Sequence, residues 1–419
     1  MSSSQPGSRE RIRDLIRYRS LGRVPWTLDF GSCKGVHPSV VDAVRRHLGI
    51  EGSFARALDS DIWIALDPDR LHNDPLPHVG THVLSRVPRT GLQCMVPLSR
   101  REGFDYRSYF PRLPAGGSLD SAGLPSAEES SFDGFGLYYY PWPGNPEYQS
   151  FLSPLEHTDD LARIAQFPLP EIRQDDLAAF RDDVQWIRGA GKMSAAWSGS
   201  LYELSWYLRG RERILYDYTD NPRMVDAIVE KLADFVERLT LLNLDAGVDV
   251  LCFYDDLGTQ TSMAISPAVF RRFYKPHYRR IWGAIKSRSR DAFIFLHACG
   301  NVREIIPDLV ECGLDILNPL QPEAMDAARI AREFAGDLVF WGSMSVQNTL
   351  PRGSAIEIER EVRKRVDDIG SRGALILSPA NTMGRDVPPQ NIAAFIDACR
   401  RHCGRAARSP AEDAQETLP

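Results

Sequence analysis

The sequence predicts an α/β fold, a (β/α)8 TIM barrel with a long insertion after the second strand. Three observations predict it. Eight short apolar runs recur along the 419 residues, and helical stretches separate them. Several runs are apolar without alternation, as strands covered on both faces must be. No glycine-rich phosphate fingerprint follows the first run, where an open doubly wound sheet would be expected to carry one; "DFGSCKG" is not such a motif.

The runs are "VPWTLDF" (24–30), "DIWIAL" (61–66), "MSAAW" (193–197) and "VDVLCFY" (248–254), then "AFIFLH" (292–297), "LDILNPL" (314–320), "DLVFWG" (337–342) and "GALILSP" (373–379). Each is too short for a helix. Between them, "NPRMVDAIVEKLADFVERLTLLNLDAG" places apolar residues at spacings of three and four, which is helical period. "SPAVFRRFYKPHYRRIWGAIKS" opens with Ser266 before Pro267, the order of an N-cap and a first helical turn. Gly313, Gly336 and Gly373 stand where helices should stop before the next strand.

One interval breaks the rhythm. Residues 67–160 are rich in Pro, Gly and Ser and carry "DGFGLYYYPWPGNPEYQSFLSPL", which reads as a β-hairpin around a Pro-Gly-Asn turn. The expected organisation is therefore one barrel domain over residues 9–403, interrupted at about 67–160. Residues 1–8 are expected to be mobile and 404–419 to form a disordered tail.

Composition narrows the function. Hydrophobic residues make up 43% and charged residues 25%, as in a soluble globular protein, and the net charge of −6 offers no footprint for nucleic acid. No stretch reaches the roughly 18–20 uninterrupted apolar residues of a membrane span. The N-terminus lacks a signal-peptide core, and seven scattered cysteines argue against a disulfide framework. The expected location is the cytoplasm.

In a (β/α)8 barrel the residues just after the strands line the site. Here these include Tyr202 and Glu203, then Tyr254, Asp255, Asp256 and Gln260, then His297 and Cys299, and finally Asn318, Gln321, Ser343, Ser378 and Asn381. In "FIFLHACGNV" (293–302), His297 and Cys299 are two apart, so in an extended segment both side chains point one way. Imidazole and thiolate suit zinc, which needs at least three protein ligands. Asp255 or Asp256 is positioned to supply an oxygen; alternatively, one of the pair is a general acid or base, or a helix cap. Cys252 reads as core, Cys312 lies at the far end of the barrel, and Cys399, His402 and Cys403 in "CRRHC" read as packing.

Several stretches in order resemble the uroporphyrinogen decarboxylase-like superfamily. They are "RERIRDLIRYRSLGRVPW", "SLYELSWYLRGRERILYDYTDNPRMVDAIVEKL", "YDDLGTQTSMAISPAVFRRFYKPHYRRI", "HACGNVREIIPDLVECGLDILNPLQ" and "SPANTMGRDVPPQNIAAF". The resemblance implies a (β/α)8 barrel and two chemical branches. The decarboxylase branch carries an arginine-rich segment after the first strand, where this chain reads "DFGSCKGVHPS" with Lys34 and no arginine. The chain looks nearer the cobalamin-dependent (methylcobamide:thiol) methyltransferases, which bind zinc through a His-x-Cys pair and a cysteine at the end of the last strand.

The pair is matched by His297 and Cys299, but the last strand reads "LILSPANT" and has no cysteine. The resemblance implies an enzyme with zinc at His297 and Cys299, completed or tuned by Asp255 or Asp256. It implies substrate contacts at Tyr202, Glu203, Tyr254, Gln260, Asn318, Gln321, Ser343, Ser378 and Asn381. A corrinoid would arrive free or on a separate protein, because no cobalamin motif is evident, and homodimers are common in the superfamily. The rival expectations are a metal-independent lyase or decarboxylase acting on a small carboxylic acid, and a non-catalytic small-molecule-binding barrel.

Overall fold

A computed structural model of the chain describes residues 8–19, 23–28, 35–51, 98–99, 101–110, 131–142, 145–172, 174–189, 191 and 193–403. The second predicted run (61–66), Lys34, residues 1–7 and the predicted tail at 404–419 lie outside the described residues. Helix α1 spans Ser8–Tyr18.

The third to eighth predicted runs form six strands: β1 (Ala195–Gly199), β2 (Val250–Tyr254), β3 (Phe293–His297), β4 (Ile316–Asn318), β5 (Val339–Met344) and β6 (Leu375–Pro379). All are parallel, and each pairs with the next in sequence. Trp26, from the first run, forms a parallel bridge to Leu377 and so sits beside the last strand, as closure of a (β/α)8 barrel requires.

Side chains alternate between two buried environments. Val250, Cys252 and Tyr254 of β2, Phe293 and Phe295 of β3, Ile316 of β4, Val339 and Trp341 of β5 and Ile376 of β6 form one buried cluster, the barrel interior. Ile12, Leu15 and Ile16 of α1 join it and plug the end where the strands begin. Arg9 of α1 fixes this plug through an ion pair with Asp249, whose carboxylate also accepts from the Ser194 amide and hydroxyl. Leu251 and Phe253 have the opposite parity and pack with Tyr278 and Trp282 in the helix layer.

After β1 the chain turns into α2 (Tyr202–Arg209), and α3 (Pro222–Asp245) returns to β2. Within the insertion, Tyr138–Trp142 and Asn145–Leu152 pair antiparallel as the predicted hairpin, with residues 143–144 outside the described set. Ser266 caps its helix by accepting from the Val269 amide, as its sequence context predicts. Among the described residues, no helix is long and apolar enough to cross a membrane.

Arg209, at the end of α2, ties the insertion to the barrel. It is fully buried and donates to the Asp217 and Asp159 carboxylates and to the carbonyls of Leu155 and Thr158. Asp217 is 2% exposed, so removing the guanidinium leaves a buried charge with only the more distant Arg213 to answer it. Arg209→Leu should therefore lower stability by about 3–5 kcal/mol, while the double variant Arg209→Leu/Asp217→Leu should recover much of the loss. Urea denaturation of the three proteins side by side checks this.

Candidate metal and active site

Continuing the barrel parity past the strand ends decides which polar groups meet. On β3, Phe293 and Phe295 face inward, so His297 and then Cys299 follow them. On β2, Cys252 and Tyr254 face inward, so of the two adjacent aspartates Asp256 follows them and Asp255 turns outward. Tyr254 and His297 are register partners across β2 and β3, which sets the two strand ends level, and their rings lie 5.3 Å apart.

Asp256, His297 and Cys299 converge, with one ligand atom from each lying within 4.8 Å of the others. The Cys299 sulfur is 3.3 Å from His297 Nε2, and Asp256 Oδ1 is 3.5 Å from the same nitrogen. Ligands held at 2.0–2.3 Å around tetrahedral zinc stand about 3.3–3.7 Å apart, so the two distances from His297 Nε2 fit such an ion. The nitrogen, sulfur and oxygen donors also match zinc's preferences.

The tautomer of His297 is set from outside. Asn318 donates through Nδ2 to the Trp341 carbonyl, which turns its Oδ1 toward His297 Nδ1. Nδ1 must then carry the proton, and the Nε2 lone pair faces Asp256 and Cys299 as a metal ligand requires. Burial, followed by the charge of Asp256, pushes the Cys299 thiol well above its ordinary range. Asn381 Nδ2 donates to the same sulfur at 3.4 Å. Without a cation the sulfur is therefore held as a thiol.

Two glycines bring the loops together. The Gly258 amide donates to the Cys299 carbonyl, and the Asn301 amide to the Thr259 carbonyl. A Cβ on Gly258 would lie 2.5 Å from the Cys299 carbonyl oxygen, and one on Gly300 would lie 2.5 Å from the Gly258 carbonyl carbon. Gly300 also has φ +84°, which other residues rarely adopt. This backbone clasp, with the bond from the Cys299 amide to Asp256 Oδ1 at 3.0 Å, registers the aspartate against the cysteine. Gln321 supports it by accepting from the Gly300 amide and donating to Gln260.

Asp255 does different work. It is fully buried and accepts from the Ser200 hydroxyl at 2.6 Å and from the Leu201 and Glu203 amides at 3.0 and 2.7 Å. It thus caps the start of α2 from the neighbouring strand, and burial raises its pKa to about 6. Of the two aspartates weighed as the third ligand, Asp256 joins the histidine and cysteine.

The other predicted residues divide. Tyr254, Asn318, Gln321 and Asn381 touch the three-residue group or its loops, and Gln260 lies at the exposed rim. Ser343 and Ser378 are fully buried and bond the Leu320 and Pro379 carbonyls. Tyr202 packs edge-on against Tyr274, and burial raises its pKa to about 12. Glu203 is 7% exposed, and its carboxyl is pushed well above the usual range by burial and then by Asp256 and Asp255. Cys252 is core and Cys312 bonds the Lys275 carbonyl, so neither approaches the group. A groove of about 1080 Å³ between Phe167–Glu171 and α3 contains none of these residues.

The family description "Uroporphyrinogen decarboxylase (URO-D)" matches residues 151–402, more than half of the chain. The chain is similar to the methylcobamide:CoM methyltransferase MtaA of Methanosarcina barkeri, 26% identical over 155 residues, covering 37% of this chain and 42% of that protein. It is also similar to uroporphyrinogen decarboxylase of Geobacter sp. (strain M21), 22% identical over 192 residues, covering 44% of this chain and 53% of that protein. The chain thus spans about half the length, or less, of these curated relatives. Among solved structures, a methyltransferase from Methanosarcina mazei superposes with a TM-score of 0.58 at 15% identity, covering 95% of this chain and 99% of that one. At that identity the likeness establishes the fold.

The two aspartates should separate experimentally. Asp255→Ala leaves three donors at the start of α2 without their acceptor and should lower stability by about 1–3 kcal/mol, with zinc affinity changed less than about threefold. Asp256→Ala should keep the fold and lose at least about tenfold in zinc affinity. Thermal melts paired with chelator-competition titrations of zinc distinguish them, and a stronger loss of zinc in Asp255→Ala would refute the assignment.

Proposed function

Because this chain belongs to the uroporphyrinogen decarboxylase (URO-D) family, we propose that it acts within that family as a corrinoid-linked methyltransferase. It moves a methyl group between a methylated cobamide and a small acceptor. The observation that carries the reading is the convergence of Asp256, His297 and Cys299, whose oxygen, nitrogen and sulfur ligand atoms lie within 4.8 Å of one another. The similarity to a methylcobamide:CoM methyltransferase supports it.

In this reading His297, Cys299 and Asp256 hold zinc, and the third ligand is an aspartate oxygen rather than a cysteine of the last strand. When bound, zinc lowers the pKa of an acceptor thiol and supplies a thiolate nucleophile near neutral pH. The chain's residues do the orienting. Asn318 fixes the His297 tautomer, the Asn381 amide stabilises negative charge on the Cys299 sulfur, and the Gly258–Gly300 clasp holds Asp256 in place. Glu203, Tyr254, Gln260, Gln321 and Asn381 are the substrate contacts in this proposal, and the corrinoid comes free or on a separate protein.

The test begins with the zinc content of tag-free protein from zinc-replete cells, expected near one per chain and lost in Cys299→Ser. Asn318→Ala should retain the fold and weaken zinc by about 10–100-fold, because it removes the group that fixes the imidazole. Methyl transfer from methylcobalamin to a thiol, followed by the cobalamin absorbance, should fall with zinc occupancy across the three proteins. Wild-type protein without zinc that still decarboxylates a small acid would overturn this reading in favour of a metal-independent lyase.

A further inference from the structure

The backbone ladder between β4 and β5 ends before the two strands do. Val339 pairs with Ile316 and Phe340 with Leu317, and there the pairing stops. Beyond it, side chains stitch the strands together. Asn318 Nδ2 donates to the Trp341 carbonyl, and the Ser343 hydroxyl donates to the Leu320 carbonyl at 3.2 Å. On its other side β5 stays paired with β6 as far as Met344, so β5 bends away from β4 without ending.

Two consecutive backbone angles make the bend. Gly342 has φ +127° and Ser343 has φ +85°, and Ser343 is one of two described non-glycine residues with a positive φ. A serine in this conformation is strained and needs partners that hold it there. Gly342 lets Asn318 close in, since a Cβ there would lie 3.1 Å from Asn318 Nδ2 and 3.3 Å from Pro319 Cβ. Ser343 is held from the helix layer. Arg365, on α4 (Ala355–Asp368), is 8% exposed and donates through Nε to the Ser343 carbonyl at 3.0 Å. Its Nη2 donates to Glu361 Oε1 at 2.9 Å, and the same oxygen accepts from the Ser345 amide at 3.2 Å. A buried guanidinium is thus committed to a strained carbonyl two residues from Trp341.

The consequence reaches the histidine through Asn318. The two ends of a side-chain amide have nearly the same shape, so the partner of one end decides which way it faces. Here the Trp341 carbonyl takes Nδ2 and leaves Oδ1 for His297 Nδ1. With the amide reversed, Nδ2 would donate to Nδ1, and the imidazole proton would move to Nε2, between Asp256 and Cys299.

We propose that Ser343 and Arg365 are positioning residues for His297: they hold the bend of β5 that aims the Trp341 carbonyl at Asn318, and so keep the Nε2 lone pair facing Asp256 and Cys299. The link to methyl transfer rests on the reading of those three residues as a zinc site.

The tautomer is read from long-range proton–nitrogen NMR correlations of the imidazole rings in metal-free full-length protein. The measurement is made at pH 8, about 1.5 units above the ordinary histidine pKa, and His297 is identified by the signals missing from His297→Gln. The wild type should show a single tautomer protonated at Nδ1. Arg365→Met, which keeps the apolar stem and removes the donors, should give a mixture of the two tautomers and weaken zinc about tenfold. Ser343→Ala removes only the bond to Leu320 and should give a smaller admixture, with zinc weakened about threefold. Arg209→Leu lowers stability through the insertion and should leave the His297 signals unchanged, which separates positioning from a general loss of stability. An Nε2-protonated wild type would overturn the proposal, as would unchanged signals in both Arg365→Met and Ser343→Ala. If Arg365→Met does not fold, unchanged signals in Ser343→Ala alone overturn it. Wild-type protein that shows the expected tautomers but takes up no zinc would sink the methyl-transfer reading and leave the positioning roles standing. One zinc per chain, held equally by both variants with unchanged tautomers, would do the reverse.

Discussion

In a closed parallel barrel each strand residue faces either the interior or the surrounding helices, and the choice repeats every second residue. The candidate site depends on this alternation. The parity that buries Val250, Cys252 and Tyr254 inside the barrel carries forward to Asp256, and the parity of Phe293 and Phe295 carries forward to His297 and Cys299. A shift of one residue on β2 would present Asp255 to the site and place Asp256 under α2, where three donors wait for a carboxylate. Adjacent acids thus acquire unrelated tasks, one capping a helix and one facing the histidine and cysteine.

Parity gives direction, and the loops give distance. Once past the strands, the chains bearing Asp256 and Cys299 lie against each other only because Gly258 and Gly300 have no side chains to separate them. The same contact passes through Gln321 to the loop after β4, so three successive strand ends share one hydrogen-bonded framework. Asn318 extends it to β5 by bonding the Trp341 carbonyl while orienting the His297 ring. The three-residue group is preorganised: Asn318 and Asn381, which are not among its ligand atoms, orient His297 and Cys299, and the Cys299 amide holds Asp256.

Much of this was legible in the sequence. The third to eighth runs lie where the strands lie, the Ser266 cap forms as its residue type requires, Tyr138–Trp142 pairs antiparallel with Asn145–Leu152 as the predicted hairpin, and the His-x-Cys spacing places both side chains on one side. The choice between Asp255 and Asp256 was not legible, and the reason is physical. In "VDVLCFYDD" both faces of the strand are apolar, because interior and helix layer alike exclude water, so hydrophobicity does not mark which face is which. The inward position of His297, projected across the parallel register to Tyr254, marks it. Gly258 and Gly300 also left a signal, one glycine shortly after each ligand-bearing position, but its meaning depends on two loops distant in sequence lying in contact. The burial of Ser343 and Ser378 was hidden for a related reason: a hydroxyl near a strand end reads as a site group until its own carbonyl partner is known.

The charges in the site explain why its parts are held so firmly. Asp256, Cys299 and Glu203 gather acidic groups around one histidine, and burial drives the Cys299 thiol and the Glu203 carboxyl toward their neutral forms. In the proposed zinc-bound state the cation would reverse that balance, binding the thiolate and displacing the thiol proton. On that proposal, zinc affinity would strengthen as pH rises through the range in which Cys299 gives up its proton, with the Asn381 amide sharing in stabilising the resulting sulfur charge. Glu203 lies outside this exchange because it is not among the convergent ligand atoms.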